Sequence, residues 1–162
     1  MSVNIQMRGA TTIVTTTRDV ASQSRVLADL IDAFGTNQVI VLDQSDFGTW
    51  HLQHLVSLAE SSLSFANTAL AAEKVLVDSE RHQSLASRYG DLGIVCGKPS
   101  NRLQPFEVAF LSRLSLIQVA SLATFADYVE FPYMKNMLCM HLSEQVKTKT
   151  TAELQNMFGT LQ

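Results

Sequence analysis

Hydrophobic and polar residues alternate at the start of the chain, which is the pattern of a half-buried β-strand. The odd positions of residues 3–7 are apolar, and Gly9 follows in a short turn segment. Residues 11–17 are rich in β-branched side chains, which favour the extended backbone. These features predict a β-hairpin, and the apolar run at residues 39–42 predicts a short third strand.

Between and after these strands, apolar residues recur three or four positions apart, as they do on one face of a helix. The first such stretch ends at Gly35, and its N-cap is either Asp19 or Ser24. Asp46 is the N-cap candidate of the next helix, whose apolar stripe covers residues 50–59. Both stretches therefore predict amphipathic helices.

The last third of the chain is predicted to be almost entirely helical. Pro105 opens a short helix, and residues 114–129 and 133–146 carry apolar residues at helical spacing. Thr150 and Glu153 stand three apart, which is the spacing of a capping box at the start of a final short helix.

The order of these elements is two strands, a helix, a third strand and then helices. This order predicts an α+β fold in which a small sheet of about three strands packs against helices. Residues 61–104 are the hardest segment to interpret: residues 63–76 and 81–88 favour helix, and the glycines and proline of residues 90–99 favour a loop. No linker of glycine, serine or proline divides the chain, so residues 1–162 are expected to form a single domain.

Composition excludes several classes of protein. The chain has 162 residues, 46% of them apolar, which is enough for a core and excludes a disordered protein. Its net charge of −3 leaves no basic footprint for nucleic acid. No apolar run approaches the about 18 residues of a membrane span, and the first residues do not form a secretory signal.

No arrangement of side chains predicts catalysis, cofactor binding or a metal site. His51 and His54 lie three apart beside Trp50, without a carboxylate at metal-ligand spacing, and we interpret them as solvated or half-buried. Cys96 and Cys139 are interpreted as buried or half-buried thiols in a reducing compartment. The chain is therefore expected not to be an enzyme.

Three methionines on the predicted helix at 133–146 leave two interpretations open. Met134, Met137 and Met140 are spaced so that they either fill the core or form an adaptable binding surface.

Residues 125–158 resemble the C-terminal part of the SKP-family adaptors of SCF ubiquitin ligases, without a gap. The segment 106–111 and the predicted N-terminal elements are similar to that family as well. The identical positions are Ala126, Tyr128, Cys139, Lys147, Lys149, Thr150, Glu153 and Phe158.

The resemblance implies a BTB/POZ fold, with a core at residues 1–129 that contains an atypical insertion at 61–104. Residues 130–162 would then form partner-binding helices. The implied function is a non-catalytic adaptor that bridges a cullin to an F-box protein. Relative to the family, the sequence lacks the helix and tail that follow Phe158, so we expect a divergent member.

The family's binding residues transfer only to matching positions. The cullin-facing pair corresponds to Asp127 and Tyr128, where Asp127 replaces a neutral amide with a charge. The residues that would face an F-box protein, or another apolar partner helix, are Cys139, Leu142, Val146, Lys149, Thr150, Glu153, Leu154 and Phe158.

A second function is compatible with the same fold. The chain would be an SKP-like or elongin-C-like fixed structural subunit of a large stable assembly, without ligase function. Its low charged fraction of 17%, together with surplus apolar helix faces, suits a surface that stays covered. Both alternatives imply a cytoplasmic or nuclear location, without nucleic acid, membrane or cofactor.

Overall fold

The computed structural model describes residues 1–76 and 103–158. In this part of the chain, three strands and seven helices form a mixed α+β fold, which confirms the predicted fold class. The strands are β1 (Ser2–Met7), β2 (Ile13–Thr17) and β3 (Val39–Leu42). The helices are α1 (Arg18–Ala21), α2 (Arg25–Phe34), α3 (Thr49–Leu76), α4 (Pro105–Leu111), α5 (Leu116–Tyr128), α6 (Pro132–Lys147) and α7 (Thr151–Phe158).

The three strands form one sheet in the order β2-β1-β3. β1 pairs antiparallel with β2 and parallel with β3, so that Ile5 lies opposite Val14 on one side and Ile40 on the other. The predicted alternation in β1 is confirmed, because Val3, Ile5 and Met7 are all buried. Helices α1, α2 and α3 pack against the sheet and cover its apolar face.

The hairpin and the end of α2 use glycine at the positions where the backbone requires it. Gly9 has a φ of 80° in the β1–β2 turn, and Gly35 has a φ of 77° at the C-cap of α2. Both values lie in the left-handed region, which costs a residue with a Cβ atom more than it costs glycine. The return strand begins at Ile13, two residues later than predicted.

The N-cap prediction for α2 is confirmed at Ser24, whose Oγ accepts a hydrogen bond from the Leu27 N–H at 3.2 Å. Asp19 lies within the separate short helix α1, which Thr17 caps.

The predicted N-cap of α3 is wrong. Asp46 lies before the helix, where its backbone N–H donates to Gln44 Oε1. The carbonyl oxygen of Gly48 accepts the first bonds of the helix, from the N–H groups of His51 and Leu52. A histidine therefore stands where a capping box has glutamate, a replacement that the sequence motif does not include.

Helix α3 is longer than the predicted stripe at residues 50–59. It continues without a break to Leu76, over 28 residues, so the helix predicted at 63–76 is the second half of α3. Residues 77–102 lie outside the described part of the chain. They include the predicted helix at 81–88, the predicted loop at 90–99 and Cys96.

The start of α2, which packs beside the sheet, meets the C-terminal helices at the C-terminal end of α5. There Glu130 adopts a φ of 50° as the chain turns into α6. The N–H of Arg25 donates to the Glu130 carbonyl at 3.0 Å, and the N–H of Val26 donates to the Val129 carbonyl at 3.4 Å. The Ser24 hydroxyl, which is 1% exposed, also donates to the Val129 carbonyl. The first N–H groups of α2 therefore find their acceptors at the end of α5.

A second buried contact joins α4 to α6. Glu107 is 3% exposed, and its two carboxyl oxygens accept from different donors. Oε1 accepts from the Gln104 N–H at 2.7 Å, and Oε2 accepts from the Tyr133 hydroxyl at 2.8 Å. This contact fixes the start of α4 against the start of α6.

We expect Ser24→Ala to lower the free energy of unfolding by about 1–3 kcal/mol. The variant loses both the N-cap of α2 and one buried donor to the Val129 carbonyl. Urea unfolding measures the change, and Ser22→Ala, at the exposed C-cap of α1, is the matched control. Equal losses in the two variants would contradict the role assigned to the α2–α5 junction.

Candidate partner-binding surfaces

The first candidate surface is the face of α6 that carries the predicted partner-facing residues. Cys139, Leu142 and Val146 lie three and four positions apart, so they follow one side of the helix. Cys139 is exposed, Leu142 is half-buried against the core, and Val146 is 39% exposed. On this face Leu142 alone of the three packs against the core, and Cys139 and Val146 on either side of it are exposed.

Helix α7 supplies the other predicted partner-facing residues, and its capping box is confirmed. The Thr150 N–H donates to Glu153 Oε2 at 2.8 Å, and the Glu153 N–H donates to Thr150 Oγ1 at 3.2 Å. Leu154 and Phe158 lie one turn apart and are both half-buried, and no residue of α7 is buried. The cap starts the helix, but the helix leaves its apolar positions incompletely covered.

Both sets of side chains are placed around the same central helix. α6 and α7 each pack against α5, with residues 148–150 turning between them. Lys149 is half-buried in this turn, and its backbone N–H donates to the Val146 carbonyl at 3.2 Å. We call the eight predicted partner-facing residues on α6, α7 and the turn the C-terminal surface.

The interpretation of Cys139 as a buried or half-buried thiol is wrong. The residue is exposed, because it lies on the outer side of α6, next to the buried Leu138 that faces the core. Met134 and Met137 are buried, which confirms core filling for these two, and Met140 is half-buried. Burial also lowers the pKa of the nearby His141.

The second candidate surface lies at the C-terminal end of α5, where the resemblance places a cullin-facing pair. The exposed Asp127 accepts from Lys135 Nζ through Oδ1 at 2.6 Å. This hydrogen bond, together with the Asp127 charge, raises the pKa of Lys135. The charge that Asp127 introduces is therefore paired with a cation on α6.

Tyr128 follows Asp127 in sequence but faces a different neighbour. Its half-buried ring lies 5.7 Å from the ring of Phe47 and 6.3 Å from that of Phe125, measured between centroids. Phe47 belongs to the segment between β3 and α3, and no pattern in the sequence indicates its contact with Tyr128. The two residues of the pair are thus held by different contacts, one by an ion pair and one by aromatic packing.

Asp127 lines a pocket of about 330 Å³ at the α2–α5 junction. The buried Phe131 lies among the residues that line it, and the ion pairs Asp127–Lys135 and Arg25–Glu130 border it. Only tertiary structure brings Arg25 here, about a hundred residues away in sequence, and no spacing in the sequence indicates it.

The two histidines of α3 are half-buried beside Trp50, as predicted. His51 also contacts α5, because its Nε2 lies 2.7 Å from the Ser121 Oγ. Burial lowers the pKa of His51. Among the residues described, no group of three or more histidines, cysteines or carboxylates is arranged to hold a metal ion.

No protein-family model matches this chain, and no curated protein matches its sequence. Within residues 1–76 and 103–158, no single helix has the length and hydropathy to cross a membrane. The helices α4 and α5 meet those criteria only as a pair, and they are bent by 113° relative to each other.

We expect Asp127→Asn to return the pKa of Lys135 toward its ordinary value of 10.5. The variant removes the charge and the strongest acceptor of the Lys135 ammonium group. NMR titration of the lysine side chain measures the change. Glu130→Gln, in the same pocket but without a bond to Lys135, should leave the pKa unchanged, and an equal shift in both variants would reject the assigned pair.

Proposed function

We propose that this chain is a non-catalytic protein-interaction adaptor that resembles the SKP subunit of SCF ubiquitin ligases. In this proposal the C-terminal surface binds an F-box-type protein or another partner with an apolar helix. The end of α5, with Asp127 and Tyr128, faces a cullin, so the adaptor bridges the two partners.

The observation that carries the proposal is the incomplete burial of the last two helices. Val146, Leu154 and Phe158 are apolar, yet none of them is buried, although α5 packs against both helices. Apolar side chains left open along two neighbouring helices are suited to a partner helix that packs between or across them. The SKP resemblance assigns partner contacts to these same positions.

The order of the elements supports the proposal independently. A β-hairpin, a third strand parallel to β1 and a series of helices agree with the small sheet and flanking helices that the BTB/POZ fold implies. On this proposal α6 and α7 are the two C-terminal helices that the SKP family adds to that fold.

The double variant Val146→Asp with Leu154→Asp should weaken binding of F-box domains from the same source by at least about tenfold. Two charges would lie where the partner's apolar side chains must be desolvated, and central apolar contacts carry most of the energy of an interface. Isothermal titration calorimetry measures the affinity, and circular dichroism checks that the helices persist.

Val108→Asp is the matched control for this experiment. Val108 is also on a helix and is 52% exposed, but it lies on α4, outside the C-terminal surface. The control should bind with unchanged affinity. The proposed surface is wrong if the double variant binds as the natural chain does, and an F-box partner is wrong if neither protein binds F-box domains.

The cullin-facing site is tested with a cullin N-terminal domain. Tyr128→Lys should weaken the binding of this domain by at least about tenfold, because it replaces an aromatic contact with a charge. Asp127→Asn should strengthen the binding, because it restores the neutral amide of the family. Failure of the natural chain to bind any cullin domain at tens of micromolar would remove cullin bridging from the proposal.

The second candidate function is a fixed structural subunit of a larger complex, and the Asp127–Lys135 ion pair favours it. Both charges lie on the face assigned to the cullin, where the family has a neutral amide. Affinity purification of the tagged chain distinguishes the two functions. A cullin with several F-box proteins supports the adaptor, whereas one stoichiometric set of non-ligase subunits supports the structural role.

A further inference from the structure

The start of α3 is closed by the side chain of His51. The N–H of Gly48 donates to His51 Nδ1 at 3.1 Å, and the carbonyl oxygen of Gly48 accepts from the N–H of His51 at 3.0 Å. The first bond is one half of a capping box, in which the N3 side chain accepts from the N-cap N–H, with an imidazole nitrogen in place of a carboxyl oxygen. The second is an ordinary backbone bond, because Gly48 has no side chain to complete the box. The turn before α3 therefore depends on a lone pair at Nδ1.

This arrangement determines which nitrogen of His51 carries the proton. A backbone N–H can only donate, so Nδ1 must be unprotonated and the proton of the neutral ring lies on Nε2. The Nε2–H then donates to the Ser121 Oγ on α5 at 2.7 Å. Protonation of His51 would put a second hydrogen on Nδ1, facing the N–H of Gly48, and the bond that closes the turn would be lost.

The neighbouring His54 has the opposite arrangement. Its Nδ1 lies 2.8 Å from the carbonyl oxygen of Trp50, which can only accept, so Nδ1 carries the proton. A doubly protonated His54 keeps this bond. Two histidines one turn apart therefore differ in whether their hydrogen bonds survive protonation.

The residue before Gly48 connects this turn to the end of α5. The ring of Phe47 packs edge-on against His51 at 5.2 Å, and it also contacts Phe125 at 5.1 Å and Tyr128 at 5.7 Å. A change in the turn at Gly48 would therefore move the side chain that covers Tyr128.

The surroundings of His51 disfavour its charged form. Of the titratable groups nearby, His54 comes from α3 itself and Tyr128 comes from α5, and Asp46 precedes the turn. The neighbours from α5 in direct contact are the neutral Ser121 and Phe125, and within the described residues no carboxylate forms an ion pair with His51. The start of a helix also repels a cation.

We propose that His51 is a proton-operated latch. Its neutral ring holds Gly48 and Phe47 against α5, and its protonation releases this turn and uncovers Tyr128. The latch is a property of the folded chain itself and does not require that the proposed adaptor function be correct.

Burial has the largest effect on His51 and lowers its pKa, and the nearby His54 acts in the same direction, whereas the contact with the Gly48 backbone opposes both. His51 in the folded chain therefore takes up its proton at a lower pH than an ordinary histidine, whose pKa is 6.5. The latch accordingly opens only at a pH below that ordinary value, and the stability of the fold decreases as the pH falls through the same range.

NMR of the intact chain tests the latch directly. At neutral pH, histidine nitrogen shifts should show the proton on Nε2 of His51 and on Nδ1 of His54. As His51 titrates, the Gly48 amide should lose its protection from hydrogen exchange and its low-field shift. Cross-relaxation between the rings of Phe47 and Tyr128 should be lost over the same range, while the amides of the sheet stay protected.

His51→Asn is the matched variant, because an Asn side-chain oxygen lies near the position of Nδ1 and does not titrate. In this variant the Gly48 amide and the Phe47–Tyr128 contact should be independent of pH. If the variant does not form the hydrogen bond from the Gly48 N–H at neutral pH, the titration of the natural chain is the test of the proposal.

Three results would overturn the latch. The first is a His51 that carries its proton on Nδ1 at neutral pH. The second is a titration of His51 that leaves the Gly48 amide and the Phe47–Tyr128 contact unchanged. The third is the loss of sheet amides in the same step, which would mean that acid unfolds the whole molecule and not the turn alone.

Discussion

The end of α5 lies against the start of α2, and this junction joins the sheet to the C-terminal helices together with α3, which packs against α4, α5 and α6. A helix start has N–H groups without acceptors and a helix end has carbonyls without donors, and burial makes either deficit costly. Here each end satisfies the other, through the backbone N–H groups of Arg25 and Val26 and the hydroxyl of Ser24. The partial charges of the two helix ends are opposite, which favours the same contact.

Both candidate surfaces depend on the position of α5 that this junction sets. α6 and α7 pack against α5, so their open apolar positions are placed by it. Asp127 and Tyr128 are its last residues, and they reach Lys135 on one side and Phe47 on the other. A partner that contacts the end of α5 therefore meets side chains contributed by α5, by the start of α6 and by the segment before α3.

Local signals predicted those features that neighbouring residues control. The β1 alternation, β3 at residues 39–42, the start of α4 at Pro105 and the Thr150–Glu153 capping box all depend on side chains within one turn or one strand. The N-cap at Asp46 failed because a carboxylate is a common cap, whereas His51 supplies the acceptor from inside the helix. The apolar stripe at residues 50–59 also underestimated the length of α3, which continues to Leu76 with Ser62 and Ala66 still buried.

The sequence by itself determined the α+β class, the order of the elements and the residues that follow one face of α6 and of α7. Periodicity and capping carry this information because they operate over distances of two to four residues. Only the tertiary structure decided that Cys139 is exposed, that Lys135 neutralises Asp127 and that Phe47 covers Tyr128. These contacts join elements whose separation in space depends on how α5 packs, and no local pattern encodes that separation.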